Sequence, residues 1–501
     1  MNFLLAFLPI LVVLILMLIL HWSSPKAGLA GWIAGIAVAL LAFGLNWPVF
    51  WVSEGKAILL TLNVVLVLWP GIFIYYLVDQ MGGIRAIAAR LDSMVHDKGW
   101  LLILQAWMLS TILESLAGFG LPIAMVSPLL IAMGVEPVLA VAATALGHTW
   151  AGSTGGMAIS LRILSEITHY SPEALFPDSA ILLGISIVLT GLAVAFMLGQ
   201  KKQWWRVLIT GTVTAVVHYF VGVWGMIPIS ALIASVSGFL VGSTLSKNDG
   251  SVKAEQINKV SLRAGLVGYG TLVSVMLVVS LVPSVNKFLS SFIWTIAFPQ
   301  VSTNAGVLTP AENGNLLHLF THPGSLILLT LALIIPIFKF VSSFPDPDLG
   351  KTLRSTIHSA LPASLGSLFM ISLSTIMEHA GMTQVLAQGL SNFAGVLFPI
   401  FSPLVGMLGS FATGSNVNSN VLFGTLQKTV AILVGASPLV MMGAQTTGGS
   451  LGSMIAPAKL AVGVSTTPEL KNREGEVLRK TLPVSLIIAL LIGIAAWLMS
   501  Y

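Results

Sequence analysis

The sequence predicts an all-α polytopic membrane protein of about 12 to 14 transmembrane helices, with inverted-topology repeats and broken or re-entrant helices. Three observations predict it. Only 8% of the 501 residues are charged and 56% are hydrophobic, against roughly 25% charged in soluble domains. Apolar runs near the ~20 residues needed to span a bilayer recur along the chain. Two long stretches are apolar overall yet crowded with Ser, Thr, Asn, Gln and Gly, and lipid tolerates irregular backbone only where protein or a water-filled cavity covers it.

Taken in order, residues 1–20 carry no basic start and no small-residue cleavage site, so a retained helix is expected over 3–20, not a removed signal peptide. Further spans are expected at 28–45, 58–77, 181–198, 207–223, 227–245, 266–282, 325–340, 361–376 and 482–499. They divide the chain into N-terminal helices (1–98), a first repeat (99–200), connecting helices and loops (201–357) and a second repeat (358–501). Residues 246–263 are the most hydrophilic segment and read as an exposed loop, and 283–323 is a mixture of one apolar piece and polar turns.

Lys and Arg gather at 85–98, 201–206, 247–263, 339–354 and 471–480. The positive-inside rule puts these five clusters in the cytoplasm, which puts both termini and the acidic loop around Glu166, Glu173 and Asp178 outside. Trp204 and Trp205, beside Lys201, Lys202 and Arg206, fit an interfacial anchor. The basic loop 246–263 is topological rather than a nucleic-acid patch. The chain has no cysteine, which removes disulfides, thiolate nucleophiles and thiolate metal sites.

The second polar stretch contains Gly414-Ser415-Asn416-Val417-Asn418-Ser419-Asn420 and, further on, Gln445-Thr446-Thr447-Gly448-Gly449. Small residues alone let helices pack closely, but three amides and a Ser within five residues fit a solute site better. The first stretch echoes it. Ala151-Gly152-Ser153-Thr154-Gly155-Gly156 matches Ala444 to Gly449, and Gly134-Val135-Glu136-Pro137 matches Gly435-Ala436-Ser437-Pro438. By loop charge the first stretch runs inside to outside and the second outside to inside, an inverted repeat with the solute held where the halves meet.

Three motifs carry a resemblance to a known family: ESLAGFGLPIA (114–124), GSNVNSNVLFG (414–424) and AQTTGGSLGSMIAPAKLAVGVS (444–465). With Gly381-Met382-Thr383 between them, the ordered set resembles the bacterial L-lactate permease family over nearly the whole chain. The resemblance implies uptake of lactate and glycolate with protons across the bacterial inner membrane, no enzymatic activity, and kinship with inverted-repeat carriers that move substrate by an elevator motion. Lys459 and the pair Glu378-His379 stand where many members carry uncharged residues.

A 2-hydroxymonocarboxylate needs a modest positive field and one or two hydrogen-bonding groups. Broken-helix N-termini supply N–H donors and about half a positive charge each. Breaks are expected at Gly118-Phe119-Gly120, Gly155-Gly156, Gly414-Ser415 and Gly448-Gly449. Ser153, Thr154, Ser415, Asn416, Asn418, Ser419, Asn420, Thr446 and Thr447 supply hydroxyls and amides, Lys459 attracts the anion, and Leu121, Phe119 or Val417 walls the methyl group. Intramembrane ionisable residues are functional hypotheses by default. Glu114 and His148 are the candidate proton carriers, because imidazole titrates near ~6.5 and burial shifts a carboxyl. Lys428 is expected to be a buried cation paired to a carboxylate, and Glu378-His379 to lie at an outer turn.

No cofactor is expected beyond the co-transported proton, and no metal; the chain fits a monomer or a homodimer. Gly350-Lys351-Thr352 is not a phosphate loop, because Pro345 occupies the position of its first glycine. His318 and His322 lack an acidic partner and precede Pro323, against a zinc site. A sodium-coupled carboxylate carrier is the alternative within transport, since Asn416, Asn418 and Ser419 suit sodium too. A proton-translocating respiratory subunit is the alternative outside it, disfavoured because ionisable residues cluster at the repeats.

Overall fold

The computed structural model describes residues 2–117, 121–246, 258–313, 317–457, 459–460, 470 and 473–501. Apolar runs become helices because a backbone without water must satisfy its hydrogen bonds internally. The first three are α1 (Asn2–Leu18), α2 (Ser24–Ala42) and α3 (Trp47–Gln80), then a short amphipathic α4 (Gly83–Asp92). The first polar stretch forms α5 (Lys98–Leu104), a π-helical turn (Gln105–Leu109), α6 (Ser110–Ala117), α7 (Leu121–Ala132), α8 (Pro137–Gly147) and α9 (Ile159–Thr168), closed by α10 (Pro172–Met197). The connecting helices are α11 (Trp204–Val221), α12 (Ser230–Thr244), α13 (Lys259–Leu281), α14 (Pro283–Ser290) and α15 (Pro323–Phe340). The second polar stretch comprises α16 (Leu349–His379), α17 (Met382–Ala394), α18 (Phe398–Thr413), α19 (Asn416–Val434) and α20 (Pro438–Met454), closed by α21 (Glu474–Ser500).

Ten segments among the described residues are long and apolar enough to cross a membrane. One of them, Lys201–Thr244, is 44 residues long, and a straight helix of that length would measure roughly 66 Å. It bends instead at Gly225, whose φ of 87° lies in the left-handed region, into α11 and α12. The mixed stretch before α15 holds an antiparallel excursion that the sequence reading did not anticipate. Its nested pairs are Ile293–Trp294 with Leu317–His318, Ala297–Phe298 with Glu312–Asn313, and Val301–Ser302 with Leu308–Thr309.

Two parts of the chain follow the same order of elements. A long helix (α3, α16) ends at a glycine with positive φ (Gly82, Gly381), and a short helix follows (α4, α17). A helix pair comes next (α6–α7, α18–α19), then a second left-handed glycine (Gly134, Gly435). A proline-started helix follows, capped by Glu136 in one part and Ser437 in the other. The closing helix of each part packs on the proline-started helix of the other, α10 on α20 and α21 on α8. The echo between residues 134–137 and 435–438 therefore falls on equivalent turns.

The other echo does not. Ala151–Gly156 lies in the irregular break between α8 and α9, whereas Ala444 to Gly449 lies inside α20, which runs unbroken from Pro438 to Met454. The break expected at Gly448-Gly449 is absent, and the helix stops after Met454. A Cβ on Gly448 would stand 1.9 Å from the Pro403 carbonyl oxygen, and one on Gly452 would stand 2.2 Å from that of Met407. These glycines let α18 and α20 touch backbone to backbone. Every residue from Val440 to Met454 and from Asn416 to Gln427 is buried, so protein rather than lipid covers the polar helices.

Candidate functional site

Two real interruptions face each other. Between α8 and α9 the chain makes two 3-10 turns, and Met157 and Ala158 adopt φ of 63° and 56°. Such conformations cost a non-glycine residue free energy that the surroundings must supply. Between α18 and α19, Gly414 takes φ of 69°, where a side chain is strained. Ser415 then caps α19, its Oγ accepting from the Asn418 amide at 3.3 Å.

A cavity of about 760 Å³ opens where these breaks meet α6 and the segment after α20. Gly155, Ser415, Asn416, Asn418, Glu114 and Lys459 all line it. Val64, Val67, Leu68 and Ile72 of α3 form an apolar wall, and the α1–α2 connection from His21 to Pro25 borders it. Lys459 follows Pro457, which ends the α20 region, and its Nζ lies 3.3 Å from the Met454 sulfur. Its charge acts on the Glu114 carboxyl and on His148. Among the described residues, the cavity thus brings the Lys459 cation and the Glu114 carboxylate within mutual electrostatic reach, in a place where low dielectric strengthens both.

Asn416, together with the polar residues behind the lining, holds it together. The Asn416 Nδ2 donor faces the Gly152 and Thr446 carbonyls and the Ser153 and Ser450 hydroxyls, at 3.1 to 3.2 Å. It ties the first break to α20. Asn420 bonds the Ser160 carbonyl at 2.8 Å and the Thr446 hydroxyl at 3.0 Å. Gln445 Nε2 donates to the Ser419 carbonyl at 3.2 Å and hydroxyl at 3.1 Å, and Gln427 bonds both Ser402 and Gln445. Thr154 meets His218 Nε2 at 2.9 Å. Thr447 bonds back to the Gly443 carbonyl, as mid-helix threonines do. Ser153, Thr154, Ser419, Asn420, Thr446, Thr447 and Gly448 are not among the lining residues.

His148 is also set back from the cavity. It is fully buried, with Nδ1 at 2.6 Å from the Thr144 carbonyl. Gly118, Phe119 and Gly120, and the Leu121 side chain, lie outside the described residues. Lys428, expected to pair with a carboxylate, donates to the Thr168 carbonyl at 2.7 Å and lies over the Tyr170 ring, with Glu378 acting on its charge. Arg162 pairs with Glu166 at 3.8 Å. His322 caps α15, its Nδ1 accepting from the Gly324 amide.

Several lining residues escaped the sequence reading: Ser24, Ser115, Ser160, Ser367 and Ser453. Ser24 accepts from Asn418 Nδ2 at 3.0 Å, and Ser367 donates to Asn418 Oδ1 at 3.4 Å. Ser115 and Ser453 lie in the motifs quoted above, but a serine is a weak signal, because many merely back-bond, as Ser115 does to Thr111.

Asn416→Ala removes two N–H donors from the cluster of the Gly152 and Thr446 carbonyls and the Ser153, Thr446 and Ser450 hydroxyls. The expected cost is about 2 kcal/mol of stability, read as a lower melting temperature in detergent. An unchanged melt would show that these bonds do not hold the break.

Among curated proteins, the glycolate permease GlcA of Escherichia coli strain K12 is 26% identical over 543 aligned positions, covering 99% of this chain and 95% of that one. The L-lactate permease of Bacillus subtilis strain 168 is 25% identical, covering 98% and 96%. A solved structure of the YdaH transporter of Alcanivorax borkumensis aligns over 87% of this chain and 84% of that one, with 16% identity and a TM-score of 0.44. The family model described as L-lactate permease matches residues 2–501, and the chain belongs to that family.

Proposed function

We propose that this permease imports L-lactate and related 2-hydroxymonocarboxylates such as glycolate by proton symport. The observation that carries the reading is the convergence of both helix breaks, Lys459 and Glu114 on one cavity. The Ser415-capped N-terminus of α19 and the Lys459 ammonium supply the positive field for a carboxylate. Asn418 and Ser415 supply hydrogen bonds for the hydroxyl, and the α3 wall takes the methyl group. The names of the relatives point to the same substrates.

Glu114 couples the proton to the anion. While ionised, it competes with the substrate carboxylate for the field of Lys459. Once protonated, it leaves that field to the anion, so proton and substrate enter together. Anion binding therefore strengthens as pH falls through the range in which Glu114 protonates.

With the basic clusters in the cytoplasm, both termini and the β-excursion lie outside, and the two matching parts run in opposite directions. Leu478, beside the last basic cluster, lines the cavity, which supports a conformation open to the cytoplasm. Uptake of labelled lactate into proteoliposomes, with a proton gradient and a sodium gradient imposed separately, tests the reading. Stimulation by the proton gradient alone is expected. Stimulation by sodium alone would replace it with the sodium-coupled reading.

A further inference from the structure

A second cavity, of about 280 Å³, lies at the opposite end of the bundle from the basic loops, beneath the β-excursion. Lys56, Glu166, His169, Glu312, Glu378 and His379 line it. This concentration of ionisable groups, outside the substrate cavity, is costly in a membrane protein and calls for a role.

The hydrogen bonds fix most of these groups. The ring Nδ1 of His379 faces the Thr375 carbonyl at 2.6 Å, which a carbonyl permits only if that nitrogen carries the proton. Its Nε2 then accepts from the Lys56 ammonium at 2.9 Å. Lys56 also pairs with Glu312 at 2.7 Å, tying the excursion to α3. Glu166 pairs with Arg162. His169, at the exposed turn after α9, lies within the fields of Glu312, Lys428 and Lys56.

Glu378 differs. Among the described residues it makes no ion pair within 4 Å. It lies beside Thr425 of α19, whose hydroxyl donates to the Ile167 carbonyl at 3.3 Å, and feels Lys428, Lys56 and Glu312 at longer range. It is half-buried, on the cavity wall. Both Thr425 and Lys428 belong to α19, the helix whose other end presents Asn416 and Asn418 to the substrate cavity. About ten residues separate Asn418 from Lys428, roughly 15 Å of helix. Along α16, Ser374 donates to the Val421 carbonyl of α19 at 2.8 Å, and Ser367 reaches Asn418, so the two helices are tied at both cavities.

We propose that this second cavity is a proton-binding site on the outer face. Glu378 takes a proton from external water and, by losing its charge beside Lys428, shifts the forces on α19 at the far end of the substrate site. The step balances simply: the carboxylate becomes a carboxylic acid and a hydronium ion becomes water. The proposal rests on the proton-symport reading and on the orientation given above. It adds an external site, distinct from Glu114, through which outside acidity sets the response to substrate.

Glu378→Gln, reconstituted in proteoliposomes, tests it. Two rates are compared: lactate uptake with the outside acid and the inside near neutral, and lactate–lactate exchange at equal pH, which moves no net proton. The ratio of the first to the second is expected to fall by roughly tenfold or more, an ordinary coupling between two sites. A full ratio in this variant, or the same loss in His169→Gln alone, overturns the proposal. If the wild type shows no stimulation by the proton gradient, the symport reading fails instead.

A measurement on the wild type covers the case where the variant does not fold. A hydrophobic carbodiimide modifies protonated carboxyls in apolar surroundings, and mass spectrometry locates the adduct. Labelling of Glu378 that rises with external acidity is expected. Labelling that is absent or flat with external pH overturns the site.

Discussion

Lys459→Met is expected to raise the KM for lactate by roughly 30-fold or more, corresponding to ~2 kcal/mol, the lower end of what truncating a desolvated charge contact costs. Lys459 is the one Lys or Arg among the described residues that line the substrate cavity. Methionine keeps most of the aliphatic stem and removes the charge, so packing against Met454 changes little. The substitution also strips Glu114 of its counter-charge. The two effects separate in a double-mutant cycle, because Glu114→Gln, which mimics the protonated acid, should lower KM with Lys459 present and change it less in the Lys459→Met background. Kinetics in proteoliposomes give the answer. A fall in maximal rate with KM unchanged would mean that Lys459 does not touch the anion.

Gly448→Ala is expected to be among the most damaging single-methyl changes, at about 3 kcal/mol or more. The added Cβ would stand 1.9 Å from the Pro403 carbonyl oxygen, whereas non-bonded Cβ contacts essentially never fall below 3.0 Å. The obstacle is backbone, so a side-chain rotation gives no relief. α18 and α20 must part, which disturbs the Asn416 contacts to Thr446 and Ser450. Gly270→Ala is the control. Its Cβ would meet nothing within 4 Å, and in a helix interior alanine is favoured by roughly 1 kcal/mol. Melting temperatures of the two variants in one detergent should move in opposite directions. A Gly448→Ala protein as stable as wild type would mean that α18 and α20 are not packed this closely.

The contrast between Gly155 and Gly448 shows how far the chain could be read in advance. Both sit in Gly-Gly pairs after Ser or Thr, and both were expected to be breaks. A missing Cβ permits either an irregular backbone or a close helix contact. Residues 149–158 took the first route, and Gly448 took the second because Pro403 lies against it. The Gly414-Ser415 turn was legible, since a left-handed glycine followed by a serine cap is a local arrangement. The β-excursion was not. Its strands are two residues each, too short for alternation to register.

The same limit governs the site. Asn416, Asn418 and Asn420 are equally polar in the sequence, yet Asn416 and Asn418 line the cavity while Asn420 is spent on Ser160 and Thr446. Asn416 and Asn420 lie four residues apart on one face and both meet Thr446, but Asn416 sits at the start of α19 beside the break, whereas Asn420 lies one turn further in, behind the lining. Glu378 was expected to be an ordinary turn residue, and only the approach of α3, α9 and α19 gives it a cavity.

The sequence by itself determined the membrane class, the helical segments, the family and the two polar stretches. These follow from composition and local hydrogen bonding, which neighbouring residues settle among themselves. Tertiary structure decided which glycines break a helix, which amides meet water, and which charges share a cavity. Those depend on atoms tens to hundreds of residues away in the chain and a few ångströms away in space.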